Sequence, residues 1–270
     1  MKRLTITLFF CIILQPTWAS LFKSYQVEDG LSHNCVWTVM QDRQGFLWFG
    51  TVDGLNRFDG ITFKTYKKQQ DNPLSIGNSF IHCLKEDSKG RFFVGTKQGL
   101  YLFNRTNETF THIPLNNQST KEDDTSINYI MEDTEGNIWL GCYGQGIIVL
   151  NPDLKIKNHY TNKSKSKGLL SNHIWCMTQD YNGIIWIGTD GAGLLRLDPK
   201  ENSFTSIKNS GKFNIIDQTI YSLYCDSDNN IWVGTSTNGL YRCNFRTGKI
   251  TNITAPYRKT LNIKAITKYN

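Results

Sequence analysis

Residues Asp42 to Gly60 read DRQGFLWFGTVDGLNRFDG: an acidic turn, an aromatic centre, a Gly-Thr pair and a Gly-Leu pair within nineteen positions. Alone, the stretch suits a substrate loop, a sugar-binding motif or two strands of a sheet. The rest of the chain decides by copying it: DSKGRFFVGTKQGLYLFN from Asp87, DTEGNIWLGCYGQGIIVLN from Asp133, DYNGIIWIGTDGAGLLRLD from Asp180 and DSDNNIWVGTSTNGLYRCN from Asp226. The aromatic centres Trp48, Phe93, Trp139, Trp186 and Trp232 are 45 to 47 residues apart. A fixed period of this size means stacked or radially arranged units. A residue type found in five equivalent places is then part of the frame rather than a catalyst.

One repeat reads as four strands. From Ile174, IWCMTQ leads to the turn DYNG, IIWIGT is a β-branched and aromatic buried strand, DGAG is a second turn, LLRLD a third strand, PKEN a third turn and SFTSI a fourth strand. No window carries apolar residues at helical spacing over ten or more positions. Four strands in about 46 residues is the pattern of a propeller blade. The repeat's Asp is expected to cap the first hairpin through backbone N–H groups. Gly45, Gly90, Gly136 and Gly183 permit positive φ in that turn, and Asn229 takes the place in the fifth repeat. The Trp or Phe is expected to fill the space between blades. The stretch from Asp226 imitates an EF-hand loop, but Ile231 stands where Gly belongs and Thr237 where Glu belongs, so no metal site is assigned.

Residues 1–20, MKRLTITLFFCIILQPTWAS, read as a signal peptide: a basic start, an apolar run too short for a typical span, and a cleavage region of small residues. Residues 21–270 read as one all-β propeller domain, with blades at about 31–66, 76–113, 124–160, 171–207 and 217–253. Net charge is +7, without a run of five basic residues, which argues against nucleic-acid binding. Of seven cysteines, Cys11 lies in the leader. Cys35, Cys83, Cys142, Cys176, Cys225 and Cys243 form no CxxC pair, so zinc is not expected, nor any other cofactor. Cys83 and Cys176 share one repeat position and read as small core residues.

The repeats, and above all the opening stretch Tyr25 to Tyr66, resemble the two-component regulator propeller repeat. That family forms periplasmic sensor regions of hybrid histidine kinases in glycan-degrading bacteria. The resemblance implies a periplasmic, non-catalytic module that recognises an oligosaccharide and regulates polysaccharide use. Its implied partners are that saccharide and the remainder of a sensor kinase or a second copy. The membrane is reached only through a missing downstream segment or an uncleaved leader. Strand bookkeeping adds a closing blade that is only partial: 21–25 matches a fourth strand and 263–268 a first strand, with Ile263 and Ile266 in the apolar positions of Ile127 and Ile130. Five complete blades plus this part make an incomplete ring, which the resemblance reads as a truncated seven-bladed one.

Two variable columns stand out against the constant frame, and variation on a rigid frame suits recognition. The loops joining second and third strands carry Asp53, Lys97, Gln98, Tyr143, Gln145, Asp190 and Asn238. Five residues before each repeat's Asp stand Trp37, His82, Asn128, Trp175 and Tyr221. Both columns belong on one face, and their side chains suit sugar hydroxyls and sugar faces. The competing reading has the large aromatics packing between blades. Two other functions stay open. A propeller lyase or glycosidase needs two carboxylates about 5–10 Å apart, and Asp53 and Asp190 belong to distant blades. A protein-interaction propeller needs no small ligand at all.

Overall fold

The computed structural model describes residues 23–115, 125–163, 168–207, 218–254 and 261–267. The leader read at 1–20 lies outside them. Apart from a single 3₁₀ turn at Val27–Asp29, regular structure is all strand. The first blade holds β1 (Val36–Gln41), β2 (Leu47–Thr51), β3 (Gly54–Phe58) and β4 (Phe63–Tyr66). The second holds β5 (Ile81–Glu86), β6 (Phe92–Thr96), β7 (Leu100–Asn104) and β8 (Thr109–Ile113). The third holds β9 (Ser126–Glu132), β10 (Ile138–Tyr143), β11 (Ile147–Leu150) and β12 (Ile156–Tyr160). The fourth holds β13 (Ile174–Gln179), β14 (Ile185–Thr189), β15 (Leu194–Asp198) and β16 (Ser203–Ser206). The fifth holds β17 (Ile220–Cys225), β18 (Ile231–Thr235), β19 (Leu240–Asn244) and β20 (Lys249–Asn252). Each is a separate four-stranded antiparallel sheet with its strands in sequence order.

The first strands β1, β5, β9, β13 and β17 contact one another in turn, and residues of all five line one cavity. They therefore surround an axis, with the later strands of each blade farther out. Four hydrophobic clusters fill the four junctions. Trp48 meets Phe92 and Phe103 of the second blade at ring centroids 4.7 and 5.2 Å apart. Phe93 packs with Ile127, Ile138 and Ile148, Trp139 with Ile174, Ile185 and Leu195, and Trp186 with Ile220, Ile231 and Tyr241. Second strands inside the stack are buried on both faces, and β14 is buried at every position. In β2, which has no described blade before it, Leu47 and Phe49 are half-buried, and Val39 on neighbouring β1 is 57% exposed.

Close approach near the axis needs glycine. A Cβ at Gly188 would lie 2.4 Å from Cys176 Sγ and 2.9 Å from Ile220 Cγ2 of the next blade. Such a contact forces a backbone shift. Gly50, Gly95, Gly141 and Gly234 hold the same position against Ile81, Ile127, Ile174 and Ile263.

The strands expected at 21–25 and 263–268 are not formed within the described residues: 23–26 and 262–267 lie outside any strand. The described parts of both segments dock by other contacts. Tyr25 rests edge-on against Phe58 and Phe63. Ile263 still takes the position foreseen for it: its N–H donates to Thr235 O at 3.0 Å, and its carbonyl accepts from Ser222 Oγ at 3.2 Å. Cys83 and Cys176 thiols make the same donation to the carbonyls of Ile127 and Ile220.

Candidate functional site

The two ends of the blades carry different chemistry. At the end of each first strand sits the constant Asp. Asp180 Oδ1 accepts the N–H groups of Asn182 and Ile184 at 2.9 and 3.1 Å, and Oδ2 accepts the Trp186 indole N–H at 3.0 Å. Asp42, Asp133 and Asp226 hold their turns and Trp48, Trp139 and Trp232 the same way. In the second blade the Phe93 ring has no N–H, and Arg91 Nε supplies the donor to Asp87 Oδ2 at 2.6 Å. Asn137 and Asn230 add a further donor to Asp133 and Asp226. At Asp226, burial pushes the carboxyl up, but hydrogen bonds from Asn230, Trp232 and the backbone outweigh it and leave it below the usual carboxylate range. Gly183 has φ +83°, and Asn229 in its place has φ 59°, as the sequence required.

Neighbouring turns also interlock. The N–H after the Asp of each of the first four blades donates to a side chain of the next blade: Arg43 to Glu86 at 2.9 Å, Ser88 to Glu132 at 2.7 Å, Thr134 to Gln179 at 2.8 Å and Tyr181 to Asn229 at 3.0 Å. A cavity of about 1290 Å³ lies on this face between the third, fourth and fifth blades. Its Asp133 and Asp180 are committed to their own turns, so this face reads as frame.

The opposite face holds the variable columns. Each loop joining second and third strands is tied to the segments that lead into first strands. Gly193 N–H donates to Gln218 O and Asp190 N–H to His173 O, both at 3.0 Å. Trp37, His82, Asn128, Trp175 and Tyr221 all line the axial cavity of about 780 Å³. Their rings form two arcs. Trp37, Phe80 and His82 pack within 4.5–5.4 Å of one another. Tyr143 stacks on His173 at 4.2 Å and reaches Trp175 at 6.5 Å, and Trp175 meets Tyr221 at 5.5 Å. Asn128 lies between the arcs in sequence order and donates to Ile174 O at 3.3 Å. Trp37 and Tyr143 remain 48% and 49% exposed, while Trp37 also packs on Phe80 and His82 of the next blade.

Burial, with a smaller contribution from Lys97, pushes His82 down to about 4, so the ring is neutral near pH 7; a backbone contact at Ile127 opposes the shift. Ser126 Oγ lies 3.3 Å from its Nδ1.

The loop residues are dispersed around this mouth. Asp53 pairs with Lys67 Nζ at 2.6 Å. Gln98 Oε1 accepts from Asn78 at 2.7 Å, and Asp190 Oδ1 from Thr219 Oγ1 at 2.6 Å. The carbonyl of Gln145 meets His159 Nε2 at 2.8 Å, and Asn238 bridges to Leu261. Asp53, Lys97, Gln98, Tyr143, Gln145, Asp190 and Asn238 do not line the axial cavity itself; Tyr143 reaches its lining only through the edge of Trp175. The structure adds Lys264 to the cavity lining, and Phe80 and His173 to the ring clusters beside it. Lys264 was legible: Ile263 aligns with Ile127, so Lys264 aligns with Asn128. Phe80 and His173 carry no repeat signal, because the segments before the first strands differ from blade to blade.

Among the described residues, no helix is long and apolar enough to cross a membrane. The sequence model of the two component regulator propeller matches residues 30–53, 121–144, 168–191 and 214–237. The unmatched blade is the one whose Trp is replaced by Phe93 and whose latch uses Arg91. Histidine kinase P4 of Formosa agariphila is 50% identical over 56 residues, 21% of this chain and 4% of the kinase. The extracellular domain assigned to the hybrid two component system BT3049 of B. thetaiotaomicron matches with TM-score 0.74 and 30% identity, over 86% of this chain and 31% of that one. The extracellular domain assigned to the one component system BT4673 of B. thetaiotaomicron shares the fold at TM-score 0.62 and 18% identity, over 86% of this chain and 36% of its own. This chain thus spans about a third or less of each of these three proteins. Four of its five blades thus carry the two-component regulator propeller repeat, and its sheets share the fold of the BT3049 extracellular domain at 30% identity.

Proposed function

We propose that this chain is the extracytoplasmic ligand-sensing part of a two-component regulator, that it works in the periplasm, and that its ligand is an oligosaccharide bound without turnover. What supports the ligand class is one observation: the column of variable residues lines a single axial cavity, with Trp37 on one side of it and Trp175 and Tyr221 on the other. Rigid aromatic faces bind the apolar faces of pyranose rings with little loss of side-chain entropy. Polar groups between them, from Asn128 and His82, meet hydroxyls. The neighbouring extracellular domains of two-component systems support the setting. A signal then leaves through the blade junctions to the remainder of a kinase or to a second copy. Regulation of polysaccharide use follows from that role.

The test is titration calorimetry against a panel of neutral and acidic oligosaccharides, with the sugars analysed afterwards. Saturable heat with sugars recovered intact is the expected result. New reducing ends would convert the reading to an enzyme, and no heat with any sugar would remove it.

A further inference from the structure

We infer that the mouth is built for an acidic saccharide, one bearing a uronate carboxylate or a sulfate ester, rather than a neutral glycan; this deepens the proposed function and rests on it. The argument is a charge inventory. The described residues lining the axial cavity include Lys85 and Lys264 and not one Asp or Glu. Lys264 is the sixth member of the column that runs through Trp37, His82, Asn128, Trp175 and Tyr221, so it stands at the level of the aromatic arcs. Lys97 lies close enough to His82 to act on it electrostatically, on the same face.

The nearby carboxylates do not neutralise this charge. Asp53 is paired with Lys67, and neither Asp53 nor Asp190 lines the cavity. Nor is the imbalance general: the cavity on the opposite face mixes Asp133, Glu135 and Asp228 with Lys157, Arg196 and Arg246. The remaining polar equipment of the mouth also donates. The Trp175 indole N–H is buried and has no acceptor among the described residues. Ammonium groups in a concave site with aromatic walls raise its positive potential, because field lines are focused there. An anionic sugar supplies the missing counter-charge and forms charge-assisted hydrogen bonds, which are stronger than those a hydroxyl makes.

Titration calorimetry with three matched tetrasaccharides tests this: a neutral galactan, a galacturonan and a sulfated carrageenan, each in low and high salt. At least one acidic sugar is expected to bind tenfold or more tighter than the galactan, and which one distinguishes carboxylate from sulfate. Lys264→Gln is expected to reduce that preference by about tenfold, high salt to erode it, and Lys264→Glu to abolish it. Melting curves establish that these exposed substitutions leave the fold intact. Galactan binding as tightly as both acidic sugars overturns the inference and leaves the sensing reading standing. A preference unchanged in Lys264→Gln also overturns it. Silence with all three sugars overturns both.

Discussion

The Asp–Trp latch makes a quantitative prediction, because two blades differ in one atom group. Trp139 and Trp186 are each 3% exposed, and each indole N–H donates to its Asp, at 2.7 and 3.0 Å. In the third blade Asn137 Nδ2 also reaches Asp133 Oδ2, at 2.8 Å. In the fourth blade Ile184 stands at that place, and Trp186 is the only side-chain N–H partner of Asp180 Oδ2 among the described residues. Trp→Phe removes the indole donor and some ring volume. The volume loss is worth about 1 kcal/mol in either blade. A hydrogen bond to a buried carboxylate is worth about 2 kcal/mol, and roughly half of that is retained where a second donor remains. Trp186→Phe should therefore cost about 3 kcal/mol and Trp139→Phe about 2 kcal/mol. At about 2–4 °C per kcal/mol for a domain of this size, their melting temperatures should differ by a few degrees. Asn137→Ala added to Trp139→Phe should bring the third blade to the fourth blade's value. Differential scanning calorimetry reads all three. Equal losses in the two blades, or the larger loss at Trp139, would refute the latch as the source of the effect.

Further outcomes follow from the same frame. Glu132→Ala removes the acceptor of the Ser88 N–H and hydroxyl across a blade junction; it should cost about 1 kcal/mol in urea unfolding, and Glu132→Gln distinctly less. His82 has its folded value pushed down to about 4 from 6.5, so the unfolded chain binds more protons between those pH values. Its stabilisation is full above pH 6.5 and is lost as pH falls towards 4, by the order of 1 kcal/mol after allowing for solvent screening. His82→Asn should flatten that part of the melting profile. In protein produced from residue 21 onward, Ellman's reagent should find one fast thiol, exposed Cys35. Burial pushes the Cys83 and Cys176 thiols far up and Cys243 up to about 12. Gly188→Ala should destabilise by about 1–3 kcal/mol, because its Cβ has no room against Cys176 and Ile220.

The frame was legible in the sequence because repetition turns single letters into a pattern. The Asp turn, the positive φ at Asn229 and the aromatic between blades were all readable from register. The indole–carboxylate bond was not, since spacing alone does not show where an N–H points. It becomes visible in hindsight through the pairing of Phe93 with Arg91. At 23–25 and 263–267 the expected strands are not formed: the described residues have the composition of a strand, but a strand needs a ladder, and composition cannot supply the partner. The mouth was legible only as columns. The aromatic column converged as expected, whereas Asp53, Gln98 and Asp190 are held by partners in segments that carry no repeat.

The central claim is that constant residues hold the blades while unlike residues at the mouth meet the ligand. One paired measurement on Trp37→Ala tests it most directly: melting temperature and oligosaccharide titration on the same sample. Trp37 is 48% exposed and touches Phe80 and His82 at the rim. The account predicts a melting temperature that falls less than in Trp186→Phe, together with at least a tenfold loss of saccharide affinity, about 1.4 kcal/mol. Unchanged affinity with a fall in melting temperature matching that of Trp186→Phe would contradict it.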